Sequence, residues 1–265
     1  MTFKLGRLPR DISRPVLLFE DYLTSALPVP FPGTVDRASR VTSSPMYANG
    51  PDPTAPSQIA ADGIGDCEFA RIGHMVQSWT AYAGEEVTIP VDNIVKAYSD
   101  CTGYILGNES TDKGATTQDT LEYWRQVGVP DATGKVHKVG AYAAYASPSN
   151  QSLLKLGVEL AGNVAVDLNL PQSAETQFGS IWQWTPGSPI LGGHAIALAK
   201  VLDPQFNGIY GYWCWGALQR ATIAFNQHYI ADSWLVLSED WIQSNGDTID
   251  GFNMAQLVAD MASIS

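Results

Sequence analysis

The sequence predicts an α+β fold with a helical first half and a mainly sheet second half, on three observations. Apolar residues recur at helical spacing from Asp66 to about residue 130. After Lys135 the chain turns to short β-branched and aromatic runs bounded by Gly, Asn, Asp or Pro. Before both lies a segment too rich in proline to hold regular structure: nine of the 16 prolines fall in the first 56 residues, and each removes a backbone donor and restricts its predecessor.

Residues 1–33 therefore read as an extended arm. Its one helix candidate, VLLFEDYLTSAL, can turn Leu17, Phe19, Tyr22, Leu23 and Leu27 to one side, where they would anchor the arm on the domain's own surface or on an assembly partner. The stretch CEFARIGHMVQSWTAYAG places Cys67, Ala70, Met75, Val76 and Trp79 on a helix that Gly84 stops, with Asp66 or Gly65 as its cap. Helices follow over Val91 to Tyr104 and Thr117 to Val127, the latter with Leu121, Trp124 and Val127 facing inward. HKVGAYAAYA starts the strands, SLLKLGVELAG is a helix, and NVAVDLNL, HAIALAKVL, IYGYWCWGAL, RATIAFN and DSWLVLS are further strands. GFNMAQLVADMASIS closes the chain as a helix packing Phe252, Leu257, Val258 and Met261.

Fifteen Lys and Arg against 27 Asp and Glu give a net charge of −12, which repels phosphate backbones and anionic lipid and argues against nucleic-acid or membrane partners. No signal-peptide run or membrane span is present, which predicts a cytoplasmic protein. Three scattered cysteines make neither a disulfide framework nor a metal-binding pair, and His137 and His228 lack ligand-spaced neighbours, so no metal or cofactor is expected.

A helix N-terminus stabilises thiolate, and Cys67 has that position; Asp66 and Glu68 oppose it, so a base partner is needed. His194 is the candidate: it opens its strand after Gly192 and Gly193, 127 residues beyond Cys67. His74 reads as a packed side chain, Cys101 and Cys214 as interior small residues, and Trp182, Trp184, Trp213 and Trp215 as core and cleft wall.

The stretches TVDRASRVTSSPMYANG and GIGDCEFARIGHMVQSW, then SLLKLGVELAGNVAVDLNL, GGHAIALAKV and YWCWGAL, resemble the papain-like cysteine peptidases over about residues 34–245. GDC, GGHA, WGAL and the late LS-x-DW are most similar to papain-like proteins of actinobacteria and their phages. The resemblance implies a two-lobe fold, a helical lobe followed by an antiparallel sheet or barrel lobe, with the arm before it and the closing helix of 246–265 packed on it. It implies a thiol hydrolase cutting a peptide or related amide bond, with Cys67 and His194 catalytic, Asn49 as oxyanion donor and Trp215 as cleft wall. Trp213 stands where the family places the Asn that orients its histidine. The competing expectation is a structural protein, such as a virion component, that uses the same fold without catalysis. Certain cell-wall amidases share the Asp-Cys pair, but their histidine follows sooner.

Overall fold

In the computed structural model, the described residues are 3–24, 33–202, 208–238 and 252–264. The chain begins with two short strands, β1 (Arg7–Leu8) and β2 (Val35–Asp36), and enters α1 (Cys67–Ala83). Gly84 closes that helix in the left-handed conformation expected of a C-terminal glycine. There follow α2 (Val91–Thr102), β3 (Ala115–Thr116) and α3 (Thr117–Gln126), whose first turn is capped by the Thr116 hydroxyl. A small ribbon, β4 (Val129–Pro130) with β5 (Val136–His137), leads to β6 (Val139–Ala144). Next come α4 (Gln151–Ala161), capped by the Asn150 side chain, β7 (Val164–Pro171), α5 (Gln172–Gln177) and β8 (Ile181–Trp182). The remainder is β9 (Ile190–Val201), β10 (Ile209–Cys214), β11 (Ala217–Thr222), α6 (Ile223–Tyr229), β12 (Ile230–Ser238) and α7 (Met254–Ser263).

The main sheet runs β6-β12-β7-β9-β10-β11-β8, with β2 also paired to β9. Its pairings are antiparallel except for β11 with β8. Strand alternation divides the core in two. Ile196 and Leu198 of β9 join Val164 and Val166 of β7 and the apolar side of α4 on one face. Ala197 and Ala199 of β9 and Ala165 of β7 face α1 on the other. Those small side chains let α1 press close, and 15 of its 17 residues are buried.

Several expectations are corrected. VLLFEDYL forms only a single 3-10 turn, Phe19–Tyr22, although Phe19 and Tyr22 are buried as anchors; Leu27 lies outside the described residues. IAFN is helix and not strand, because the Thr222 hydroxyl accepts from the Phe225 N–H and starts α6. Val127 and Val258 face solvent, whereas Leu257 and Met261 are buried. Trp184 is half exposed and stacks on His228 instead of entering the core. Cys101 is partly exposed. The Asp240-Trp241 part of LS-x-DW lies outside the described residues.

Candidate active site

Cys67 is the first residue of α1, and the Asp66 cap makes no side-chain hydrogen bond there. The sulfur therefore sits where unpaired N–H groups favour negative charge. Packing of α1 against β9 brings the thiol to the Ala195 N–H, next to His194. The His194 ring stacks on Trp215, centroids 4.6 Å apart and planes 24° from parallel.

Trp215 reaches that ring from the two-residue turn between β10 and β11. Its φ is +46° and that of Gly216 is +68°, so a bulky residue sits in left-handed backbone to complete the turn. That conformation costs about 1 to 3 kcal/mol and recurs where a structure holds a functional side chain in place.

His194 Nε2 lies 3.2 Å from the Cys214 sulfur, and its Nδ1 is buried without a hydrogen-bond partner. The alternation of β10 explains why Cys214, and not Trp213, takes this place. Tyr212 and Cys214 belong to one core face and Trp213 to the other. A reading of residue order alone therefore missed Cys214, whereas the period of two could have found it.

Asn49 is buried, and its side-chain amide donates to the carbonyls of Ile64 (3.1 Å) and Lys4 (3.3 Å). It follows Tyr47 and Ala48, two successive left-handed residues with φ of +54° and +64° that bring it beside the start of α1. His74, about two turns along α1, meets Tyr47 edge-on. Among the described residues no three His, Cys, Asp or Glu side chains gather as a metal site, and no helix is long and apolar enough to cross a membrane.

What fills the cleft has no signature in the residue pattern. Residues 3–8 of the arm run through it. Phe3 stacks on Trp215 at 3.9 Å, while the Gly6 N–H is directed at the Cys67 sulfur. Ala115 N–H donates to the Gly6 carbonyl at 2.8 Å, and β1 pairs β3 in parallel. The fit requires glycine. A Cβ on Gly6 would stand 1.7 Å from the Gly65 carbonyl, one on Gly114 2.0 Å from the Gly6 carbonyl, and one on Gly193 2.1 Å from that of Arg7.

Under this cover the pair is neutral. Burial, with Glu68 adding to it, pushes the Cys67 thiol up to about 12, although the Ala195 and Gly6 N–H groups pull the other way. Burial, aided by the charges of Arg71 and Arg7, holds His194 down to about 3. Beneath the thiol lies an ion cluster absent from the sequence reading. Arg71 pairs with Glu68 and with Asp167 at 2.7 Å, and Thr117 donates its hydroxyl to Asp167 at 2.6 Å.

No family model matches the chain, and no curated protein matches it in sequence. Solved structures do match. The cysteine protease xylellain from Xylella fastidiosa aligns at a TM-score of 0.62 and 14% identity, over 89% of this chain and 98% of that one. Procathepsin B S9 from Trypanosoma congolense aligns at 0.56 and 11% over 89% and 87%. Bromelain from Ananas comosus, in complex with the E64 inhibitor, aligns at 0.50 and 15% over 78% and 100%. At these identities the likeness is one of fold: the chain has the papain-like, two-lobe α+β architecture.

Proposed function

We propose that the protein is a papain-like thiol hydrolase that cleaves a peptide or related amide bond and is held latent by its own N-terminal arm. The observation that carries this reading is Cys67 at a helix start packed on β9, its thiol beside Ala195, the strand neighbour of His194, whose ring stacks on the strained Trp215 turn. When the arm leaves, water enters and the burial that keeps both groups neutral is relieved. The thiol then gives its proton to His194 and attacks the carbonyl carbon. The Cys67 N–H and the Asn49 amide, which already donates to an arm carbonyl, hold the oxyanion. His194 returns the proton to the leaving amine, and water releases the acyl group. Cys214, at Nε2, steadies the ring where the family's Asn would stand. Four of the similar structures are themselves of pro-forms, trypanosomal procathepsin B and a procathepsin L of Tenebrio molitor among them.

A second reading has a specific observation on its side: a sulfur replaces the orienting Asn, and the arm plugs the cleft. In it the fold serves as an assembly or virion component, in keeping with the resemblance to phage-associated proteins, and the arm never leaves.

Full-length Gly6→Ala separates the two, because the added methyl cannot coexist with the Gly65 carbonyl and must lift the strand. Peptide hydrolysis should appear in this variant, disappear with Cys67→Ala, and fall by about a hundredfold or more with His194→Ala. A Gly6→Ala protein whose Cys67 is alkylated like a free thiol, without hydrolysis, would establish the structural reading.

A further inference from the structure

The arm does more than block the thiol: it carries a guanidinium into a pocket beside it. Arg7 is buried, and its Nη2 donates to the Leu168 carbonyl at 3.0 Å and to Asn169 Oδ1 at 2.9 Å. Its Nε is buried with no hydrogen-bond partner. Leu168 is the register partner of His194 across β7 and β9, so the pocket adjoins the reactive pair.

The domain side of this pocket is acidic. Glu68 and Asp167 share the domain cation Arg71, whereas the charge facing Asp232 comes from the arm. The other nearby cations, Arg7 and Arg10, both come from the arm, and Arg10 pairs with Asp232 at 3.3 Å. Burial and the Asp167 charge raise Asp232 to about 6, while Arg10 and Arg7 pull it down. Withdrawing the arm therefore removes two positive charges from a site that keeps the Asp232 carboxyl, the Leu168 carbonyl and the Asn169 amide oxygen, while Glu68 and Asp167 stay paired with Arg71.

We infer that this pocket recognises a basic side chain, arginine above all, of the peptide that replaces the arm, with Asn169 and Asp232 as its specificity-determining residues. A planar guanidinium suits the Leu168 and Asn169 oxygens, which accept from one Arg7 nitrogen; a neutral side chain of the same length would leave Asp232, which the arm's arginines offset, uncompensated. The word substrate rests on the hydrolase reading, but the pocket does not.

The test is binding, which needs no turnover. In full-length Arg7→Ala, and in Arg7→Met as a variant that retains the apolar stem, N-acetylarginine amide should bind about tenfold or more tighter than N-acetylcitrulline amide by calorimetry. Wild type, its pocket filled, should bind neither. Adding Asp232→Asn to Arg7→Ala should erase the preference. Equal affinity for the two amides, or no binding, in an Arg7 variant that melts cooperatively would overturn the inference. A charge preference without peptide hydrolysis would support the pocket and count against the hydrolase.

Discussion

His74 and His194 are both held in the neutral form inside the protein, and burial sets both near 3. An unfolded histidine takes its proton near 6.5. Between 6.5 and 3 the unfolded chain thus binds more protons than the folded one, and stability falls as the pH drops through that window. The full contribution is present above 6.5. Because His74 sits apart from the thiol and meets Tyr47 and Trp213, it can be replaced without touching the proposed chemistry. His74→Leu should lose about 2 to 3 kcal/mol less than wild type when urea unfolding is compared at pH 7 and pH 4.5. Equal losses in the two proteins would mean that His74 accepts a proton inside the fold.

At the scale of elements, two helices carry an internal glycine that local propensity disfavours. In α1 a Cβ on Gly73 would lie 2.6 Å from the Tyr47 ring, and in α4 one on Gly157 would lie 2.0 Å from the Tyr145 hydroxyl. Each glycine is the recess that lets an aromatic ring lie against its helix. Gly73→Ala gains about 1 kcal/mol of helix propensity and meets overpacking of about 1 to 3 kcal/mol. The net expectation is a loss of about 0 to 2 kcal/mol by urea unfolding; a stabilised variant would show that Tyr47 moves freely.

Such recesses explain which parts of the fold the sequence discloses. The helix that bears Cys67 and the strand that bears His194 are legible because their apolar residues follow the periods of 3.6 and 2. The α6 helix was misread because Ile223 and Phe225 favour strands, and only the Thr222 cap marks its start. The cleft contacts of Gly6 with Gly65 and Gly114, and of Arg7 with Gly193, join positions far apart in sequence, with no period to announce them. Asn49, placed by resemblance, does come beside the start of α1, by way of a left-handed dipeptide that no propensity foretells.

At the scale of the whole molecule, the arm is fastened at two places. Residues 3–8 lie in the cleft, while Phe19 packs on Tyr145 and Phe252 beside the closing helix. Tyr22 donates its hydroxyl to Asp260 at 2.9 Å, and its carbonyl accepts from the Asn253 N–H at 2.9 Å. The beginning and end of the chain therefore brace one another on the sheet edge formed by β6. Phe19→Ala should cost about 3 to 5 kcal/mol there. In hydrogen exchange, residues 17–24 and 252–264 should lose protection together while the central strands β7 and β9 stay protected. Loss confined to one of the two segments would refute the bracing. The narrow passage at Gly6 has a different consequence, for how this sequence can vary. A bare backbone threads between the Gly65 carbonyl and the Gly114 and Gly193 positions, so a side chain at any of these sites spoils the fit for all of them. Removing the first eight residues outright would leave Gly193 without the Arg7 neighbour that excludes a larger residue, while Gly114 would keep its left-handed φ of +75°. The arm is thus easier for the protein to shed whole than to edit, and its presence is what keeps the walls of the cleft smooth.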